Sequence, residues 1–126
     1  MDSFVVLGQP VPQGSMKHVG GGRIVSKSPK LKEWREKIAQ VVRDQVGEPA
    51  HLSAVSVTAI FIFNKPKSVK RDQPTVPPDL DKLQRALGDA ISIDAKYLND
   101  DSQIVEWHSQ KVYGSPAGVV FTVKTF

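Results

Sequence analysis

The chain has 126 residues, 40% of them apolar and 24% charged, with a formal net charge of +4. Its length fits one domain, residues 1–126, large enough for a hydrophobic core, and its composition argues against wholesale disorder. The absence of cysteine excludes disulfides, thiolate metal sites and cysteine nucleophiles. No apolar run reaches the roughly 18 residues of a membrane span. The N-terminal "MDSFVVLGQPVPQG" lacks the basic region and long apolar run of a signal peptide, so a soluble cytoplasmic protein with no membrane association is expected.

The charge is divided unevenly. Residues 1–78 hold twelve Lys and Arg against six acids, and residues 79–126 hold five against seven. A basic surface suits a polyanion such as nucleic acid. An acidic focus set within it suits an enzyme that holds a phosphate backbone and a divalent metal together.

In chain order, "SFVVLG" (3–8) reads as a first strand. The Gly- and Pro-rich stretch that follows carries Lys17, His18, Arg23 and Lys27, and Gly20, Gly21 and Gly22 suggest the tip of a mobile hairpin that bends basic side chains onto a ligand. No Gly-Lys-Ser/Thr follows those glycines, so they are not a phosphate loop. Residues 28–47 form the clearest helix: Ser28 caps it, Pro29 fits its first position and Gly47 its stop. Leu31, Trp34, Ile38, Val41, Val42 and Gln45 recur at helical spacing, which places Trp34 in the core. "LSAVSVTAIFIFN" (52–64) reads as a central strand. Lys65, Lys67, Lys70 and Arg71 then lie in a proline-rich loop suited to tracking phosphates.

The second helix begins at Asp79, an N-cap candidate behind Pro77 and Pro78. Leu80, Leu83, Leu87 and Ile91 share one face, and Asp81, Arg85, Asp89 and Ser92 another. "SQIVEWHSQKVYG" and "GVVFTVKTF" are two final strands separated by "GSPAG". The expected fold is α+β, a small mixed β-sheet with two main helices.

Six aspartates, Asp79, Asp81, Asp89, Asp94, Asp100 and Asp101, crowd residues 77–104. Asp79 and Asp81 converge only if Asp79 lies in the non-helical approach to the helix. The strand carrying Asp100 and Asp101 is expected to start beside the helix's N-terminal end. Mg²⁺ takes oxygen ligands of this kind and leaves room for water and substrate phosphate. The spacing also allows a plainer reading: Asp79 only caps, Asp81 only pairs with Arg85, and Asn99, Asp100 and Asp101 only form a polar turn. The histidines His18, His51 and His108 show no paired zinc spacing.

At "DLDKLQRALGDAI" (79–91) and "LNDDSQIVE" (98–106) the sequence resembles the RusA family of Holliday junction resolvases, found in bacteria and phages. The likeness extends in outline to "GQPVPQG" and "KVYG". It implies a RusA-like fold and a homodimer in the cytoplasm of a bacterium or a phage-infected host. Such a homodimer uses Mg²⁺, with Mn²⁺ as a substitute, to make paired symmetric nicks in four-way DNA junctions during recombination and repair. Carried over by position, Asp79, Asp81 and Asp101 are catalytic and metal-binding carboxylates, with Asp100 as a further metal ligand. The family's catalytic lysine falls on Arg85, whose guanidinium does not give up a proton. Lys82, where many relatives carry asparagine, and Lys111 are the candidates for the missing ammonium. The expected DNA-binding residues are Lys17, Arg23, Lys27, Lys65, Lys67, Lys70, Arg71, Lys82 and Lys111. The rival readings are a junction-binding protein weak or silent in catalysis, and a nuclease acting on flaps or forks.

Overall fold

The structure, a computed structural model, describes residues 1–14, 17–19, 23–25, 29–46 and 53–126, with only the backbone of 17–19 and 23–25. In chain order the elements are β1 (Asp2–Leu7), β2 (Lys17–Val19), β3 (Arg23–Val25), α1 (Pro29–Val46), β4 (Val55–Phe63), α2 (Leu80–Asp89), β5 (Ile104–Tyr113) and β6 (Gly118–Thr125). Four strands form one sheet in the order β1-β6-β4-β5, while β2 and β3 pair as a separate antiparallel ribbon. That ribbon is the hairpin expected from the glycine-rich stretch. Its tip (20–22), Lys27, Ser28, Gly47 and His51 lie outside the described residues, as do the side chains of Lys17, His18 and Arg23.

Strand periodicity sets the core. Val55, Val57, Ala59, Phe61 and Phe63 of β4 are buried, with Thr58 between them exposed. Phe4 and Val6 of β1 and Val119, Phe121 and Val123 of β6 join them. The helices close this face with Trp34, Ile38 and Val42 from α1 and Leu83 and Leu87 from α2. Each fully buried side chain such as Ile38, Phe61 or Leu83 contributes about 1.5–3 kcal/mol relative to exposure. Trp34 is 3% exposed, the core role its spacing assigned it. Gln45, at the end of the same stripe, donates from Nε2 to the Ser3 carbonyl at 2.6 Å and so ties α1 to β1.

The sheet is antiparallel except between β4 and β5, which run parallel. Parallel neighbours need a crossover, and α2 is that crossover. A crossover helix runs antiparallel to both of its strands, which corrects the expected topology: β5 starts beside the C-terminal half of α2 and ends near its beginning. The contacts follow this order. Trp107 and Ile104 lie at Gly88, the Ser109 hydroxyl meets the Gln84 side chain, and Lys111 reaches the Pro78 carbonyl.

Two irregularities shape this layer. Val55 pairs with Ile104 but Ser56 with Glu106, so β5 bulges at Val105. The bulge lets Ile104 and Trp107, three apart, both face α2, whereas a regular strand would send them to opposite sides. Beyond Asp89 the helix widens into a π-helical turn, Ala90–Asp94. There Ser92, expected on the face of Asp81, Arg85 and Asp89, is buried and donates to the Gly88 carbonyl at 2.7 Å. Among the described residues no helix is long and apolar enough to cross a membrane.

Candidate active site

The first turn of α2 presents the D-L-D segment. Asp79 occupies the N-cap position with extended backbone (φ −71°, ψ 141°), and its carbonyl accepts from the Lys82 and Leu83 amides, both at 3.2 Å. Its side chain makes no capping hydrogen bond. The carboxylate instead faces the Lys82 ammonium, Oδ2 to Nζ 3.7 Å, with both side chains largely in solvent. Capping therefore does not account for Asp79. Asp81, in the first turn, and Arg85, one turn on, are both exposed. No ion pair joins them among the described residues, so pairing with Arg85 does not account for Asp81.

Asp101 sits at the other end of the same helix. A Cβ built on Gly88 would lie 3.9 Å from the Asp101 Cβ, in ordinary van der Waals contact. Gly88 is seven residues from Asp81, about 10 Å along the axis. Asp100 is the N-cap of a 3₁₀ turn, Asp101–Gln103, and its side chain accepts from the Ser102 amide at 3.0 Å. Gln103 closes a capping box by accepting from the Asp100 amide at 3.1 Å. The Ser102 hydrogen bond is the largest influence holding the Asp100 carboxyl below its usual range, while partial burial and then the adjacent Asp100 push Asp101 up. The polar-turn reading therefore holds for Asp100. Asp101 is left as an exposed carboxylate beside the helix.

The remaining aspartates serve the joint between the helices. Arg35 of α1 grips Asp94 with two hydrogen bonds, Nε–Oδ2 2.7 Å and Nη2–Oδ1 3.1 Å, and lies 3.9 Å from Asp89. Asp89 is half-buried, and desolvation raises its pKa against the pull of Arg35, with Asp101 and Asp94 adding to the rise. The crowding of six aspartates thus has three causes: a helix-to-helix brace (Asp89, Asp94), a capped polar turn (Asp100), and exposed carboxylates on and beside α2 (Asp79, Asp81, Asp101).

The basic residues divide as well. Lys65, Lys67, Lys70 and Arg71 are exposed in the loop between β4 and α2. Lys65 and Arg71 are held over the Tyr113 ring, each 5.9 Å from its centroid, and Arg71 Nε donates to the Tyr113 hydroxyl at 3.1 Å. Lys111 is half-exposed, and its ammonium donates to the Val76 and Pro78 carbonyls, both at 2.9 Å. His108 lies 3.1 Å from Glu106, whose carboxyl is held down first by the Ser56 hydroxyl and then by His108. Pro77 and Pro78 separate a cleft of about 680 Å³, walled by Pro10, Val11 and Trp34, from a smaller one of about 150 Å³ at Tyr113. None of the candidate carboxylates lines either cleft. They stand on an open face, which a convex duplex can reach.

As a metal site, the donors fit a hard cation in kind: carboxylate oxygens, with no cysteine anywhere in the chain. Among the described residues no three such side chains come together closely enough to hold a metal ion. Asp79 and Asp81 lie at one end of α2 and Asp100 and Asp101 at the other. Mg²⁺ commonly takes only one or two protein carboxylates and completes its shell with water and substrate phosphate.

The family model of endodeoxyribonuclease RusA matches residues 8–124. The chain belongs to the RusA endodeoxyribonuclease family. It is accordingly a DNA endonuclease of a family that acts on Holliday junctions. No curated protein matches it at a significant level. The family match spans the whole α2–β5 crossover, so the D-L-D turn, Arg85 and the Asp100–Asp101 pair all fall within it.

Sequence reasoning missed three features. The capping box was legible as Asp100-x-x-Gln103, a carboxylate three residues ahead of a glutamine. The pairing of Arg35 with Asp89 and Asp94 joins residues more than 50 positions apart and left no local signal. The third is the engagement of Lys111 with backbone carbonyls, which no spacing rule reads.

Proposed function

We propose that the chain is a Mg²⁺-dependent, structure-selective endonuclease that resolves four-way DNA junctions by paired symmetric nicks, acting as a homodimer. The observation that carries this reading is the open face of α2, where Asp81 and Arg85 are exposed and not paired with each other, with Asp101 exposed in the turn packed beside Gly88. Asp79 and Asp81, at the start of α2, are the two carboxylates that would hold the cation there, while Asp101 and its neighbour Asp100, about 10 Å further along the helix, would reach it through water or the substrate phosphate. When bound, a hard divalent cation supplies positive charge and Lewis acidity beside the scissile phosphate. Arg85 stabilises negative charge on the phosphate oxygens as it grows, a role that fits its fork of donors and permanent charge. It does not shuttle a proton. Lys67 and Lys70, exposed on the loop ahead of the site, contact phosphates together with Lys65 and Arg71 at the Tyr113 shelf and Lys82 at the helix start. A two-fold substrate that needs two equivalent cuts favours a two-fold enzyme. The cytoplasm of a bacterial or phage-infected cell is where such a substrate is met.

A synthetic four-way junction with a mobile core tests this, with wild type and Asp81→Asn compared in Mg²⁺ and in EDTA and binding followed in parallel. Paired nicks that need Mg²⁺ and vanish in Asp81→Asn while binding survives are the expected result. Tight binding without cleavage in any metal would leave only a junction-binding protein. Preferential cutting of flaps or forks would move the substrate assignment. Lys67→Ala with Lys70→Ala should reduce the dependence of log affinity on log salt by about 2, since each lost phosphate contact removes roughly one released counterion.

A further inference from the structure

Lys111 was expected among the DNA contacts, yet its half-exposed ammonium is engaged by two backbone carbonyls of its own chain. It lies on β5, the edge strand that runs along the central strand β4, where it pairs with Phe61. The segment it reaches has few backbone donors of its own. Pro77 and Pro78 have no backbone N–H, and the loop from 65 to 78 forms no strand or helix. The handles left to this segment are its carbonyls. Lys111 Nζ takes two of them, Val76 O and Pro78 O, each at 2.9 Å. The Pro78 carbonyl belongs to the peptide that leads into Asp79. From the other side, the Gln13 amide donates to the Lys82 carbonyl at 3.0 Å and pins the first turn of α2 to the N-terminal "GQPVPQG" arm.

Resting on the nuclease reading above, we propose that Lys111 is a positioning residue for the D-L-D segment: it fixes the backbone that aims Asp79 and Asp81. It contacts neither a phosphate nor the reacting atoms. Two of the three donors of its ammonium are committed to carbonyls, so it does not replace the family's catalytic lysine either. A misplacement of a catalytic group by about 1 Å costs on the order of 100-fold in rate, so a tether one peptide away from Asp79 is felt in turnover and not in affinity.

The test compares wild type, Lys111→Met, Lys111→Arg and the loop variant Lys67→Ala. Three quantities are read: junction binding in EDTA across a salt series, single-turnover cleavage with protein in excess over a Mg²⁺ series, and the amide resonances of residues 79–83 without DNA or metal. Lys111→Met should bind the junction within about twofold of wild type with an unchanged salt slope, unlike Lys67→Ala. Its single-turnover rate should fall about 10–100-fold, with more Mg²⁺ needed for half-maximal cleavage. The amide resonances of 79–83 should be displaced. Lys111→Arg, which keeps two donors, should recover part of the rate.

Weaker metal-free binding with a salt slope lower by about one and an undiminished saturating rate would make Lys111 a phosphate contact and overturn the proposal. Resonances of 79–83 that stay in place would overturn it whatever the cleavage shows. Should Lys111→Met fail to fold, Lys111→Gln, whose shorter uncharged side chain does not span both carbonyls, carries the same resonance comparison. If wild type itself cuts no junction in Mg²⁺ or Mn²⁺, the nuclease reading fails, and the resonances still decide whether Lys111 holds the segment.

Discussion

Gly88 offers a direct test of where Asp101 lies. It is buried in α2, and a Cβ there would meet Trp107 Cζ2 at 3.7 Å, the Asp101 Cβ at 3.9 Å and Ile104 Cδ1 at 3.9 Å. These are ordinary contact distances, so Gly88→Ala fits without moving anything. It removes the backbone freedom of a glycine in a helix and should stabilise the fold by about 0.5–1 kcal/mol. For a chain of this size that corresponds to a rise of roughly 2–4 °C in Tm. Gly88→Leu is different, because its further carbons must enter space already held by Trp107, Ile104 and Asp101. Overpacking of this kind costs about 1–3 kcal/mol, and the group least anchored against displacement is the exposed Asp101.

Urea unfolding measures the first effect as a change of midpoint at constant m-value, and junction cleavage measures the second. Gly88→Ala should unfold at higher urea and cleave like wild type; Gly88→Leu should unfold at lower urea and lose cleavage beyond what its lower stability explains. If Gly88→Leu were as stable as Gly88→Ala and equally active, the space beside Gly88 would be empty. The placement of the β5 start against the C-terminal half of α2 would then be wrong.

Gly118 should respond in the opposite sense to Gly88. An alanine Cβ at that position would lie 2.3 Å from the Val6 carbonyl oxygen, a backbone atom that cannot swing aside, so Gly118→Ala should cost about 1–3 kcal/mol. A neutral result in thermal unfolding would refute the β1–β6 register. Asp89 gives a pH dependence. Its pKa is raised above the ordinary 3.8, chiefly by desolvation, so the folded state binds that proton more tightly and ionised Asp89 costs stability at neutral pH. Asp89→Asn should therefore be at least as stable as wild type at pH 7. Its advantage should shrink as pH falls through the raised folded value towards 3.8, because wild type recovers stability there. An advantage that grows on acidification, followed by urea unfolding across that window, would contradict the assigned desolvation.

Much of the fold was legible because its signals are local. Leu31, Trp34, Ile38 and Val42 repeat at helical spacing, and β4 alternates around Val57, Ala59 and Phe61, so helix and central strand follow from periodicity. The direction of β5 was not legible. Whether a strand pairs parallel or antiparallel with a distant partner depends on the path of the chain between them, and no residue in "SQIVEWHSQKVYG" encodes it. That one choice decides whether Asp101 meets the beginning or the end of α2. The bulge at Val105 was hidden for a related reason: only the partner strand reveals that Ile104 and Trp107 share a face. In the site, residue types and the helix start could be read from Pro77, Pro78 and Asp79. The division of labour among six aspartates could not, because it depends on where Arg35 reaches.

Exposure explains why the backbone around the D-L-D turn is tied so closely. Asp89 shows what partial burial does to a carboxylate on this helix: desolvation raises its pKa even with an arginine 3.9 Å away. A carboxylate meant to meet a cation and a phosphate is better placed in the open, and Asp79 and Asp81 are both exposed. An exposed side chain, however, has no packed neighbours to fix its direction, and the Lys82–Asp79 pair, largely in solvent, supplies little restraint. Precision must then come from the main chain beneath it. Pro77 and Pro78 narrow the backbone's freedom but remove its donors. The two carbonyls held by Lys111 and the Lys82 carbonyl held by the Gln13 amide restore the fixation from either side. An open acidic turn can thus be aimed without being buried, which is the combination a nuclease acting on a broad polyanionic surface requires.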